Sequence, residues 1–162
     1  MAKLSEAAFK ALSDQMNQEF VASHAYLAAA YWFDDLNYDG IFNYMKKESE
    51  AERQHGLKLG DYITMRGNRP GLSGVVLEEY KWEKPLEVFQ TLYDLEVKFF
   101  HNYQKISKDL RAEGDEAAAN FVAFFLAEQE KAIDEFDTLM AKVHSYTALP
   151  GLLWHLNKEL GG

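Results

Sequence analysis

Apolar residues recur at three- and four-residue steps along four long stretches of this chain, and most glycines and all three prolines fall between or at the ends of those stretches. From a capping Ser5, the positions Phe9, Leu12, Met16, Phe20, Leu27 and Ala30 mark one face of a helix expected over about 5–34. The run Asp34 to Gly40 reads as a turn. Asp39 is then expected to cap a second helix over 39–67, with Phe42, Met45, His55, Leu59 and Ile63 on its face and Gly67 at its close. Pro85 suits the first position of a third helix over 85–111, carrying Leu86, Phe89, Leu92, Phe99, Tyr103, Ile106 and Leu110. Gly114 ends it, and Asp115 caps a fourth helix over 115–144 through Phe121, Phe125, Ile133, Phe136, Leu139 and Val143. A short fifth helix is expected over 150–160. Residues 68–84 show no helical period and contain Pro70, Gly71 and Gly74, a connection long enough to need a structural reason. Helices of ~28 residues are ~40 Å long at ~1.5 Å per residue, a distance this segment can cross. The expectation is all-α: two antiparallel hairpins forming a four-helix bundle, with one long crossover between helices two and three. A bundle with two long crossovers does not fit, because only one such connection exists.

Composition narrows the class. With 162 residues, 48% hydrophobic and 14% aromatic, the chain can bury a substantial core and is expected to form a single domain over 1–162. It has no cysteine, so disulfides and thiolate metal sites are excluded and any metal must be held by oxygen and imidazole. Seventeen basic and 26 acidic residues give a net charge of −9, which argues against nucleic acid and favours attraction of cations. No apolar run approaches the ~18 residues of a membrane span, so no membrane partner is expected. The N-terminal MAKLSEAAFK lacks the pattern of a signal or transit peptide. A cytoplasmic protein, or the mature form of a plastid protein, is therefore expected.

The chemistry centres on AERQHG, residues 51–56, which contains Glu52 and His55 at helical spacing. In so acidic a chain this pair means little alone. The first helix, however, carries Glu19 with Tyr26 seven residues on, and the third carries Glu96 with Tyr103 seven residues on. Glu19 to Glu52 and Glu96 to Gln129 are both 33 residues apart, so the two hairpins form a degenerate internal repeat. Three carboxylates converging inside a bundle would cost several kcal/mol each without compensation, and no Lys or Arg lies three or four residues from any of them. Two divalent cations would resolve this, and the carboxylate-rich set suits iron better than the tetrahedral habit of zinc. The plainer alternatives are glutamates facing water and tyrosines serving only as core.

Several stretches resemble ferritin over almost the whole chain: NQEFVASHAYLAAAYWF, ESEAERQHGLKLGDYITMRG, YKWEKPLEVF, FLAEQEKAIDEF and PGLLWHLNKEL. The resemblance implies a ferritin-like bundle whose subunits assemble into a 24-subunit homo-oligomeric shell. It also implies a di-iron ferroxidase centre that takes Fe(II) as substrate and oxidises it with O2 or H2O2, storing Fe(III) as ferric oxyhydroxide. Glu19, Glu52 and His55 would form the first iron site with Tyr26 beside it. Glu52 would bridge to a second site of Glu96, assisted by Gln129. Ala132 resembles the animal heavy-chain pattern. Arg53 stands where bacterioferritin has its haem methionine, so no haem is expected. The glutamates that some ferritins use for onward passage of iron fall on Ala51, Gln54, Leu57 and Lys131. Glu128 remains of that set, with Glu48, Glu50 and Glu130 as substitutes. The acidic pair of the three-fold pores falls on Ala119 and Val122, leaving Asp109, Glu113, Asp115 or Glu116 to attract iron. Leu152, Leu156 and Leu160 would suit an apolar four-fold pore or simple packing. Two other readings stand beside this one: a rubrerythrin-like di-iron oxidase or peroxidase, which would carry a second histidine-bearing motif, and a structural shell subunit with little catalysis.

Overall fold

A computed structural model describes residues 2–161. Its elements are α1 (Glu6–Asp35), α2 (Asp39–Met65), α3 (Pro85–Ala112), α4 (Glu116–Tyr146) and α5 (Leu153–Leu160), with no strand among the described residues. The first four form the bundle: α1 packs along α2, α3 along α4, and α1 meets α3. No Cα atoms of α2 and α4 lie within 8 Å of one another among the described residues, so these two helices meet through long side chains, as where Tyr62 stacks on Phe121 at 3.8 Å between ring centroids. None of these helices is long and apolar enough to cross a membrane.

Local chemistry sets the ends. Ser5 accepts from the Ala8 amide at 3.0 Å, and Asp115 accepts from the Ala118 amide at 3.1 Å, each capping its helix as the sequence suggests. Glu87 caps α3 by accepting from the amides of Glu83 and Lys84 at 2.7 and 3.1 Å, ahead of Pro85. Gly67 and Gly114 adopt φ of +78° and +80° and close α2 and α3. The turn between α1 and α2 is shorter than the Asp34–Gly40 run suggests. Asn37 takes φ of 64°, and the Tyr38 amide reaches back to the Phe33 carbonyl at 3.0 Å, so three residues suffice. Asp39 is inside α2 rather than its cap. Asp39 Oδ1 accepts from the next amide, Gly40, at 3.0 Å, while the Ile41 amide is satisfied from far away: Asn157 of α5 accepts from it and donates to Asp39 Oδ1, both at 3.0 Å. The fifth helix starts at Leu153 rather than 150, because Pro150 and Gly151 (φ +85°) form a turn. Leu156 is buried in the chain's own core, while Leu152 and Leu160 are half-buried.

The 68–84 crossover has no regular structure and lies along α1. Asn17 holds its start, donating to the Gly71 carbonyl at 2.7 Å and accepting from the Ser73 amide at 3.1 Å. Trp32 holds its end by donating to the Trp82 carbonyl at 3.3 Å, and Trp82 in turn donates to Thr91 at 2.9 Å.

Two apolar clusters fill the bundle, one at each end. The first joins Leu12, Met16, Leu59, Ile63, Phe99 and Phe125; the second joins Phe33, Ile41, Met45, Phe89, Leu92 and Val143. Ala119 and Val122 are fully buried in the first cluster, so a charge at either would point into the fold.

Arg66 joins three segments beneath that cluster. It is buried and donates to Asp115 at 2.7 and 3.2 Å, to the Tyr62 hydroxyl at 3.0 Å and to the Ala2 carbonyl at 3.0 Å. Arg66→Met is expected to cost about 2–3 kcal/mol, less than a fully buried pair because Asp115 keeps some access to water. Hydrogen bonding and charge from Arg66 hold the Asp115 carboxyl below the usual carboxylate range. A depressed acid stabilises above its unfolded pKa and loses that contribution as pH falls through the folded value. The difference in thermal midpoint between wild type and Arg66→Met should therefore be full near neutrality and narrow below about pH 4.

Candidate metal centre

Between the two apolar clusters lies one polar layer. α1 and α2 approach closely here because small residues face each other. The Ser49 hydroxyl donates to the Ser23 carbonyl at 2.7 Å, its oxygen lies 3.0 Å from the Ser23 hydroxyl, and a Cβ added to Gly56 would come within 2.7 Å of the Phe20 ring. This close hairpin sets Glu19 opposite Glu52 and His55. One ligand atom from each of these three lies within 4.8 Å of the other two. His55 Nδ1 is 3.3 Å from Glu52 Oε2 and 3.8 Å from Glu19 Oε2. Glu19, Glu52 and Glu96 are 0, 4 and 3% exposed, which makes three acids buried together with one half-buried imidazole.

The other hairpin supplies Glu96 and Gln129. The Gln129 amide donates to the Glu96 carbonyl at 2.9 Å and also to Glu96 Oε2. The two tyrosines cross over. Tyr26 of α1 donates to Glu96 Oε1 of α3 at 2.6 Å, and Tyr103 of α3 donates to Glu19 Oε1 of α1. Burial, together with the adjacent Glu96 or Glu19 charge, pushes both phenols well above the ordinary tyrosine range, so both keep their protons. The structure thus brings together all six residues singled out from the sequence, namely Glu19, Tyr26, Glu52, His55, Glu96 and Gln129.

The electrostatics are unbalanced without cations. Burial, then the charges of Glu96 and Glu19, pushes the Glu52 carboxyl well above its usual range. Burial raises Glu96 despite the hydrogen bonds it receives from Tyr26 and Gln129. For Glu19, burial acts upward, but hydrogen bonding and attraction from His55, with Glu52 and Tyr103, bring it below its ordinary value. Burial disfavours the His55 imidazolium, yet hydrogen bonding and attraction from Glu19 carry it above its ordinary value. Glu19 Oε2 has no hydrogen-bond partner among the described residues. A buried, unpartnered carboxylate oxygen facing an acid and an imidazole fits a cation with oxygen and nitrogen ligands.

The layer opens between α2 and α4. A cavity of about 150 Å³ is lined by Glu48, Glu52, His55, Glu96, Glu128, Gln129 and Glu135, among others. Glu135 was not apparent from the sequence; only the spacing of α2 and α4 reveals its place at this mouth. Glu50 and Glu130 do not line the cavity, and Glu50 is engaged by Arg53 and Gln54 on the surface. The acids expected to serve pores are also engaged: Asp109 by Lys105, Glu113 by Ser5, Asp115 by Arg66 and Glu116 by Arg111. A surface depression of about 490 Å³ along α4, from Ala127 to Asp137, holds none of the buried acids and is not the centre.

Known proteins share both sequence and fold. The family model for the ferritin-like domain matches residues 9–145. The bacterial non-haem ferritin of Staphylococcus haemolyticus is 33% identical over 135 residues, covering 83% of this chain and 81% of that protein. The Staphylococcus aureus protein of the same description is 31% identical over 158 residues, covering 98% and 95%. An open-pore ferritin from the hyperthermophilic archaeon Archaeoglobus fulgidus superposes with a TM-score of 0.93 at 28% identity, covering 98% of both chains. An iron-soaked crystal structure of a PmFTN variant gives 0.91 at 32% identity, covering 94% of this chain and 99% of that one. With the family's domain spanning most of its length, and relatives of this kind matching nearly end to end, the chain belongs to the ferritin family, among the non-haem ferritins.

Proposed function

We propose that this chain is the subunit of a 24-copy iron-storage shell that oxidises Fe(II) with O2 at a two-iron centre and holds the Fe(III) as ferric oxyhydroxide inside. One observation carries the reading: three buried carboxylates share a layer with an imidazole, and Glu19 Oε2 has no partner. Two Fe(II) ions would more than neutralise those three acids. Glu19 and His55 would hold the first ion and Glu96 the second, with Glu52 shared between them, since it clusters with Glu19 and His55 and lines one cavity with Glu96. Gln129 and Tyr26 hold Glu96 in place. Each Fe(II) gives one electron, and O2 takes the two electrons with two protons to leave H2O2. Glu48, Glu128 and Glu135 at the mouth would draw cations towards the layer. The names of the bacterial relatives and the iron-soaked PmFTN crystal support iron as the substrate. A cytoplasmic workplace suits a chain without cysteine.

The test is anaerobic loading with Fe(II) followed by exposure to O2. Two Fe(II) per chain should bind and then oxidise rapidly, with continued additions building a ferric core inside the particle. Binding of no Fe(II), or oxidation no faster than in buffer, would end the reading. At 18.6 kDa per chain, a closed shell should elute near roughly 450 kDa in size exclusion, and a two-chain particle would overturn the shell.

A further inference from the structure

Glu19 and Glu96 occupy equivalent places in the two hairpins, yet their oxygens are used differently. Both oxygens of Glu96 accept hydrogen bonds, Oε1 from Tyr26 and Oε2 from Gln129. On Glu19 both donors converge on a single atom: Oε1 accepts from Tyr103 and, at 3.2 Å, from Gln15 Nε2. Gln15 is oriented from behind, because its own Oε1 accepts from Asn102 at 3.0 Å. Two donors occupy the lone-pair directions of Oε1, while Oε2 is left without a partner on the side of Glu52 and His55. The Tyr103 ring is fixed independently, stacked on Phe125 at 5.2 Å between ring centroids and 10° between planes.

We infer that Tyr103, supported by Gln15 and Asn102, is a positioning residue that reserves Glu19 Oε1 and so makes Glu19 bind its cation through Oε2 alone. The inference rests on the reading of Glu19 as a metal ligand. Single-oxygen attachment keeps a coordination position open that a chelating carboxylate would fill, and an open position is what a substrate such as O2 needs at a bound ion. Asn102 also lies on a groove of about 250 Å³ between α1 and α3, lined in part by Asp14, Gln18, Lys105 and Asp109. The support for Glu19 thus reaches the face of the bundle opposite the mouth.

Cobalt(II) tests this without turnover. The probe is Co(II) added to the assembled protein, read by calorimetry and by its visible d–d bands, whose intensity falls as coordination number rises. Wild type should bind Co(II), and Glu52→Ala should lose the tight phase. In Tyr103→Phe the ring remains but Oε1 is released. The first Co(II) should then bind about 10- to 100-fold more weakly, the usual cost of removing an outer support, and the bands should weaken as Glu19 turns both oxygens to the ion. Tyr93→Phe, which removes a surface hydrogen bond to Asp137, should match wild type. Gln15→Leu frees the same oxygen from its other side and should shift the bands in the same direction; it carries the test if Tyr103→Phe fails to fold. Spectra and affinities superposing on wild type would overturn the positioning role while leaving the metal centre intact. If Glu52→Ala binds Co(II) as wild type does, the ligand assignment falls and the inference with it.

Discussion

Glu52→Ala is expected to slow Fe(II) oxidation by at least about 100-fold, since losing a direct ligand should cost no less than losing one of its outer supports. The rate would be followed by the absorbance of the ferric product after anaerobic loading and mixing with O2. An unchanged rate would remove Glu52 from the centre. The same position should give the opposite sign in stability. In the metal-free protein Glu52 is buried with two other acids, and their charges oppose its ionisation. Glu52→Gln keeps the shape and removes the charge, so the metal-free fold should gain about 1–3 kcal/mol in thermal unfolding with a chelator present. A residue that lowers the stability of its own fold is retained for another purpose. A variant both slower and less stable would point to Glu52 as an ordinary structural group.

The second large effect is expected at Phe125, a residue that binds nothing. It is 1% exposed, stacks on Tyr103, and meets His55 edge-on at 5.7 Å between ring centroids. Phe125→Ala should cost about 3–5 kcal/mol through lost burial and the cavity left behind. At roughly 2–4 °C per kcal/mol for a chain of this size, the thermal midpoint should fall by on the order of 10 °C. Oxidation should slow as well, because His55 and Tyr103 lose the wall that orients them. Phe125→Leu should recover much of the stability and less of the rate. Equal recovery of both would show that the ring only fills space.

Much of the fold was legible because helical period, short turns and one long connection leave few arrangements open. The 33-residue repeat and the Glu–Tyr spacing of seven also survive in one dimension, as equal distances along two hairpins. What the sequence hides is rotation and distance between helices. Nothing in the spacing says that each tyrosine serves the glutamate of the other hairpin, since that depends on how α1 and α3 are turned about their axes. The place of Glu135 depends on the spacing of α2 and α4, and the support of Glu19 by Gln15 and Asn102 depends on a contact across 87 residues. The beginning of α2 was misread for the same reason. Asp39 looked like the local cap, whereas the structure gives it only the neighbouring Gly40 amide and leaves the Ile41 amide to Asn157, 116 residues away.

The crossed tyrosine bonds also divide the bundle mechanically. They tie α1 to α3 through the interior, so that side behaves as a spine. At this level the described residues of α2 and α4 meet through the edge-on contact of His55 with Phe125 rather than through a hydrogen bond, and they form a lip. Two of the three buried acids, Glu19 and Glu96, are carried by the spine, while Glu52 and His55 come from the lip. Movement of side chains on the lip would leave the crossed bonds from Tyr26 to Glu96 and from Tyr103 to Glu19 in place.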